Sequence, residues 1–308
     1  MKVIISGGTG FIGRHLASRL AARADDVVVL TRSGRLPAEL AGSERVTPVT
    51  WDPPSGGAWQ KSIDGADAIV HLAGEQAVGQ RYTDSVKARI FESRVKTAEA
   101  LVQGIDMAEK KPRVFVSASG VGFYGGRSDA ELLDESAPGG HDFLADICKQ
   151  WEGAVHGAEQ YGVRVAIARL GVVFAPDGGA LETMVRPFKL FAGGPIGSGR
   201  QYFAWVHLED ALRALLLLLD DDSCRGPFNV VAPHALPQAE LAHELGRVLG
   251  RPSIVPAPGF ALKLLFGEGA VPLLTGQNTV PRALSEHGFE WKFGELGAAL
   301  ADCLARPS

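Results

Sequence analysis

Cysteine is scarce. The 308 residues include only three, Cys148, Cys224 and Cys303, an odd number with wide and unrelated spacings. That excludes a disulfide framework, offers no metal-ligand cluster, and suits a reducing, cytoplasmic setting. Each thiol reads first as a buried packing residue without a chemical role. Positive charge is in short supply as well: 31 Lys and Arg stand against 35 Asp and Glu, for a formal net charge of -4. Without a basic face, nucleic acid is not an expected partner. Long apolar runs are missing too. The most apolar stretch, Ala211–Leu219, is far too short to span a bilayer. It follows His207, Glu209 and Asp210, as a buried helix with a charged start would. No basic segment leading into an apolar run opens the chain, so neither a signal peptide nor a membrane is expected.

What is present is an apolar share of 46% beside 21% charged residues, which suffices for a core in a globular chain. Lys2–Ser6, Val27–Thr31, Thr47–Asp52, Ala68–Leu72, Arg113–Ser117 and Val163–Arg169 read as strands, with Pro227–Val231 joining later. Nearly continuous Val/Ile runs of this length fit strands buried on both faces of a parallel sheet. Between them Arg14–Arg23, Asp84–Lys110 and Phe143–Tyr161 have helical spacing and length. This rhythm predicts an α/β fold: a doubly wound, Rossmann-type parallel sheet. From about Pro233 the pattern changes, with helices over Gln238–Leu249, on through Phe266, and over Leu296–Leu304, and a loop-like Gly267–Pro281. The expected division is a nucleotide-binding domain over 1–232 and a small, mostly helical C-terminal region over 233–308. The Gly- and Pro-rich segment 175–204 belongs to the substrate side.

The segment Ser6-Gly7-Gly8-Thr9-Gly10-Phe11-Ile12-Gly13 follows a strand and opens a helix. In the GxxGxxG spacing, Gly7 allows a sharp turn, Gly10 lets backbone approach a pyrophosphate, and Gly13 lets helix and strand pack closely. The helix start then offers free N–H groups and a positive dipole end to phosphates. The second strand discriminates between cofactors. An acid at its end would bind the ribose 2′-OH of NAD, but here the strand ends Leu30-Thr31-Arg32-Ser33. Arg32 can pair with a 2′-phosphate through a charge-assisted fork, which points to NADP(H); the alternative is a solvated surface Arg. Asp52, at the end of the third strand, is placed to meet the adenine amino group or simply to cap a turn.

Several longer motifs go further. GGTGFIG at Gly7–Gly13, VHLAGEQAVG at Val70–Gly79, VSASGVGFYGG at Val116–Gly126 and WVHLEDA at Trp205–Ala211 resemble the extended short-chain dehydrogenase/reductases. LAGE at Leu72–Glu75, ESR at Glu92–Arg94, FLADICKQWE at Phe143–Glu152, GGPIGSGRQYFAWVHLED at Gly193–Asp210 and GQNTVPRALSEHGFEW at Gly276–Trp291 narrow it. They resemble the atypical branch described as epimerase family proteins, within the NAD-dependent epimerase/dehydratase family, whose C-terminal domain has no known function. The resemblance covers nearly the whole chain. It implies NADP(H) contacts from Gly7, Gly10, Phe11, Ile12, Gly13, Thr31, Arg32, Leu72, Ala73, Gly74 and Glu75. Ser117 would lie beside the nicotinamide side of the cleft.

The larger family also uses a Ser, and a Tyr followed four residues later by a Lys, as acid/base machinery. This chain departs from that. With Glu152 as the anchor of the helix, the Tyr slot falls on Leu144, the Lys slot on Cys148 and the Ser slot on Gly120. Lys149 is one residue off, about 100° around a helix. Two readings stay open. One is an NADP(H)-dependent oxidoreductase or epimerase acting on a small polar substrate with a rearranged set drawn from Ser119, Tyr124, Glu135 and Lys149. Tyr124 would alternatively shape the pocket wall, Ser119 would bond backbone, and Cys148 would either approach the nicotinamide or simply pack. The other reading is a cofactor-sensing regulator without turnover. Arg186, Gln201, Trp205 and His207 are expected to line the substrate pocket, or, for Trp205 and His207, to pack as strand residues under the C-terminal region. Either a monomer or a homodimer fits.

Overall fold

Successive residues of a strand point to opposite sides, and the apolar runs of this chain fill both. In the computed structural model, which describes residues 1–53, 55–127 and 130–305, seven strands form one parallel sheet. They are β1 (Lys2–Ser6), β2 (Asp26–Thr31), β3 (Val46–Thr50), β4 (Ala68–His71), β5 (Val114–Gly120), β6 (Arg164–Leu170) and β7 (Gly226–Val230). Their spatial order is β7-β6-β5-β4-β1-β2-β3. On one face Val3, Ile5, Val27, Val29, Val114 and Val116 pack with Leu16 and Leu20 of α1 (Phe11–Ala22). Leu212, Leu215 and Leu219 of a helix over Leu208–Asp220 complete that layer. On the other face Ile4, Leu30, Ile69, Phe115 and Ile167 meet Leu101, Ile105, Trp151 and Val155. Alternation within a single strand thus builds two cores.

The chain leaves β1 in one direction for β2 and β3 and in the other for β4, so the carboxyl ends of β1 and β4 border a crevice at the switch point. The helical segment expected over Asp84–Lys110 is divided. It runs as α2 (Asp84–Phe91), a π-helical turn (Glu92–Lys96) and α3 (Thr97–Met107). The Thr97 hydroxyl donates to the Glu92 carbonyl at 3.0 Å inside the widened turn. Apolar periodicity reports only that a helix has a buried stripe, so the extra residue did not show. The segment expected over Phe143–Tyr161 is α4 (Phe143–His156) followed by a 3₁₀ turn over Gly157–Tyr161, started by the N-cap Asp142.

A separate core lies beside the sheet. Phe174 and Trp205 pack with Leu181, Val185 and Phe188 of α5 (Ala180–Lys189), Leu241 and Leu245 of α6 (Gln238–Leu249), and Leu300 of α7 (Leu296–Ala305). Segment 175–204 therefore holds a helix, with Pro187 inside it, despite its Gly and Pro content. Gly267–Pro281, expected as loop, contains a short helix, Val271–Leu274, and a strand, Asn278–Thr279, which runs parallel to Leu132–Leu133. The Asn229 amide donates to the Leu133 and Val280 carbonyls at 3.2 and 2.9 Å, tying that tail to β7. No helix among the described residues is long and apolar enough to cross a membrane.

Candidate active site

The first turn of α1 begins without a side-chain cap and without an acidic residue, leaving its amides and the positive end of its dipole unopposed. Gly7 has φ +73°, and a Cβ there would lie 2.6 Å from the Leu72 and Ala73 backbone. A Cβ on Gly13 would collide with the Gly7 carbonyl. The two glycines thus bring three backbone segments into contact that no larger residue permits. The cavity beside them, of about 410 Å³, is lined by Gly7, Thr9, Gly10, Leu30, Thr31, Arg32 and Trp51, and by Leu72, Ala73, Gly74 and Glu75. Arg89, Glu92, Ser93 and Thr97 close it. Ser93 Oγ accepts from the Glu75 amide at 2.9 Å and donates to the Ile90 carbonyl, so the loop after β4 is held to the π turn.

Beneath this end lies a buried polar pair. Ser6 Oγ is 2.6 Å from His71 Nδ1, and His71 Nε2 is 3.4 Å from the Arg94 carbonyl, a pattern that fits a neutral Nε2–H ring. Burial holds the His71 pKa down to about 4, with the Arg94 charge acting in the same direction. Arg32 is exposed at the cavity rim. Thr31 is buried, and its hydroxyl lies 3.3 Å from that of Ser33.

A second cavity, of about 280 Å³, sits past the loop after β4. Its polar lining includes Arg94, Ser119, Cys148, Asp142 and Gln277, and its apolar lining Leu144, Trp151 and Val271. The Arg94 guanidinium carbon lies over the Trp151 ring, 5.4 Å from its centroid. Ser119 Oγ donates to Glu152 Oε1 at 2.7 Å. Glu152 is clamped by Arg169 through Nε to Oε1 at 3.0 Å and Nη2 to Oε2 at 2.8 Å. Arg169 Nη1 also donates to the Tyr124 hydroxyl at 3.0 Å, which donates to Asn229 at 2.7 Å. All five side chains in this chain of bonds are buried. Such a network is costly to break because each deletion strands a charge or a polar group.

The thiol in the cavity does not ionise near neutrality. Burial, reinforced by the Glu152 charge, pushes the Cys148 thiol up to about 11, so it stays protonated. Burial also raises the Tyr124 phenol, against the pull of Arg169. Glu135 is raised by burial too, and its carboxylate accepts from the Asn229 and Ala283 amides at 2.8 and 3.2 Å.

Of the expected residues, Gly7, Gly10, Thr31, Arg32, Leu72, Ala73, Gly74 and Glu75 share one cavity. Phe11 opens α1, but its ring packs on Gly178 and Gly179, and Ile12 packs on the core. Asp52 is exposed and does not line the cavity, although its neighbours Trp51 and Pro53 do. Ser117 is 1% exposed and donates to the Ala118 carbonyl. Ser119 lines the second cavity. Tyr124 lies below it in the network, and Lys149 points to the Gly140 carbonyl, at 2.8 Å, and to Asp146. Gln201 stands behind the wall, donating to the Ile196 and Leu273 carbonyls at 2.9 and 3.1 Å.

The structure does not bring Arg186, Trp205 and His207 to either cavity. Arg186 is exposed on α5 and paired with Glu182 at 2.6 Å. Trp205 is 1% exposed and stacked on Phe174 at 5.7 Å. His207 Nδ1 caps the Leu208–Asp220 helix, and its ring sits 4.0 Å from that of Phe293. The strand Trp205–His207 pairs with Val172–Phe174 in a small sheet of the core beside the main sheet, where Trp205 packs with Phe174. Arg94, Ser93 and Thr97 were given no individual role from sequence. ESR at Glu92–Arg94 was the visible signal, but it carries no chemistry until the π turn orients it.

Comparison with known proteins agrees with this architecture. The model of the NAD dependent epimerase/dehydratase family matches residues 3–231, and that of a domain of unknown function (DUF1731) matches residues 257–303. The chain is 40% identical over 302 residues to the epimerase family protein SDR39U1 homolog, chloroplastic, of Arabidopsis thaliana, covering 97% of this chain and 86% of that protein. It is 38% identical to epimerase family protein ML0860 of Mycobacterium leprae, covering 99% of this chain and 96% of that one. Its fold is similar to the crystal structure of human epimerase family protein SDR39U1 (isoform 2) with NADPH. That likeness has a TM-score of 0.87 at 33% identity and covers 100% of both chains.

Proposed function

The chain belongs to the NAD dependent epimerase/dehydratase family, and from that premise we propose that it is an NADP(H)-dependent oxidoreductase or epimerase acting on a small polar substrate. The residues present fit the dinucleotide. The cradle that a Cβ on Gly7 or Gly13 would fill, the uncapped start of α1 and the absence of an acid at the end of β2 each favour it. The human relative that shares the whole fold was crystallised with NADPH. Gly7, Gly10 and the first turn of α1 would hold the pyrophosphate, Arg32 a 2′-phosphate, and Leu72–Glu75 the stretch toward the second cavity. When bound, NADP(H) supplies or accepts a hydride.

The observation that carries the reading is the second cavity, set against the first at the loop after β4 and lined by Arg94, Ser119 and Cys148. At about 280 Å³ it sits at the small end of ligand pockets, which favours a compact substrate. Ser119 donates its hydroxyl hydrogen bond to Glu152 and so presents lone pairs to the cavity, where it would accept from a substrate hydroxyl. Cys148, with its pKa near 11, keeps its proton, which reaches the Gly120 carbonyl only at 3.8 Å and would turn to a substrate oxygen. Three buried cysteines with no disulfide suit work in a reducing compartment such as the cytosol.

One observation favours a second reading, a nucleotide-sensing regulator without turnover. By their spacing from Glu152, Leu144 and Cys148 fall where the larger family's Tyr and Lys would, and the Cys148 thiol stays protonated. Paired titrations of the purified protein with NADPH and NADH, followed by a screen of small carbonyl compounds, separate the two. NADPH-selective binding with oxidation of NADPH by any carbonyl establishes the enzyme. Equally tight binding without turnover on any compound leaves the regulator. If neither nucleotide binds, both readings fall.

A further inference from the structure

The Arg94 guanidinium lines the second cavity beside Ser119 and Cys148 and abuts Gly74 of the loop after β4. It has little else to do. Among the described residues no carboxylate lies within ion-pair distance of it, since Glu75 faces Arg89 at 3.8 Å instead. Its Nη1 reaches the Ile90 carbonyl and Ser93 Oγ only at 3.5 Å, and neither Nε nor Nη2 has a hydrogen-bond partner among the described residues. Its guanidinium carbon lies over the Trp151 ring, 5.4 Å from the centroid, a cation–π contact. Burial lowers the Arg94 pKa, with the Glu75 charge among those offsetting it only in part, the mark of a cation drawn out of water without a full counter-charge. The Tyr82 hydroxyl, buried without a hydrogen-bond partner, lies within electrostatic range of it. The residue reaches this place through the π-helical turn, a distortion that recurs at functional sites.

We infer that Arg94 is the anion-binding residue of the second cavity, and that the substrate is a small carboxylate whose oxygens pair with its guanidinium fork. A planar, bidentate partner matches the donors Nε and Nη2 in geometry, and it supplies the missing counter-charge. The carboxylate would anchor one end of the substrate while Ser119 and Cys148 meet the oxygen at the other. This deepens the dinucleotide-enzyme reading and rests on it.

The test uses NADPH-loaded protein and four carboxylates (oxamate, malonate, 3-hydroxybutyrate and benzoate), each paired with its neutral amide. Binding is followed through the fluorescence of the bound nucleotide and by calorimetry. At least one carboxylate should bind about tenfold or more tightly than its amide. Arg94→Gln should erase that preference while NADPH affinity stays within about twofold of wild type. Arg94→Lys, which keeps the charge without the fork, should retain part of it. Equal binding of acid and amide by the wild type overturns the inference without needing any variant to fold. So does a preference that survives Arg94→Gln, or a loss of NADPH affinity in that variant as large as the loss of carboxylate affinity. Failure of the wild type to bind NADPH instead removes the earlier reading, and is seen before any carboxylate is added.

Discussion

The two ends of the crevice are made in different ways. The dinucleotide end is assembled from backbone: a glycine turn, a helix start and the loop after β4, with side chains at the rim. The end at the second cavity, the proposed substrate end, is assembled from side chains that arrive from the π turn, β5, α4 and the Val271–Leu274 helix. It stands on a buried ionic network that also reaches β6 and β7. A backbone site needs only that certain residues be absent, namely those with a Cβ where segments touch. A side-chain site needs particular residues brought together from distant places, and their support is part of its construction.

The sharpest way to break that contrast is at the network. Glu152→Leu strands the Arg169 charge in a buried site and should cost about 3–5 kcal/mol in urea unfolding. The double variant with Arg169→Leu should regain part of the loss, because no uncompensated charge remains. A single variant within about 1 kcal/mol of wild type would mean that the substrate end does not depend on this support.

The dinucleotide end should reveal its own buried polar pair through pH. Burial holds the folded pKa of His71 to about 4, below the 6.5 of the exposed side chain. Between those values the unfolded chain takes up a proton that the native ring refuses. This contribution to stability is therefore complete above pH 6.5 and is lost as the pH falls toward 4, on the order of 3 kcal/mol in all. Replacing His71 with Asn should flatten that part of the stability profile; an unchanged slope would place the acid sensitivity elsewhere.

The smallest effect belongs to the rim. Arg32→Ala should weaken NADPH about tenfold, roughly 1.5 kcal/mol, with NADH affinity and stability unchanged. An equal loss for both nucleotides would show that Arg32 does not read the 2′-phosphate.

Legibility follows the same division. The seven strands and the crevice could be read because Val/Ile runs and a glycine turn are local patterns that report on themselves. The turn after β1 and the acid-free end of β2 were visible for that reason. At the second cavity the same approach left Arg186, Trp205 and His207 undecided, since a Gly-rich segment with aromatic and polar residues does not announce which face it will present. Trp205 and His207 took the alternative of strand residues packed under the C-terminal region. Their packing was decided by the pairing of Trp205–His207 with Val172–Phe174 and by the three helices around that small sheet. The cavity position of Cys148 was open from spacing alone, and its protonation followed only from burial beside Glu152.

By itself, then, the sequence determined the fold class, the family and the dinucleotide turn, because each is written in neighbouring residues. Only the tertiary structure decided that Arg94, Ser119 and Cys148 meet in one cavity and that Tyr124 serves beneath it. Contacts between segments many residues apart depend on strand register, on a widened helical turn and on what is buried, and none of these is a property of local spacing.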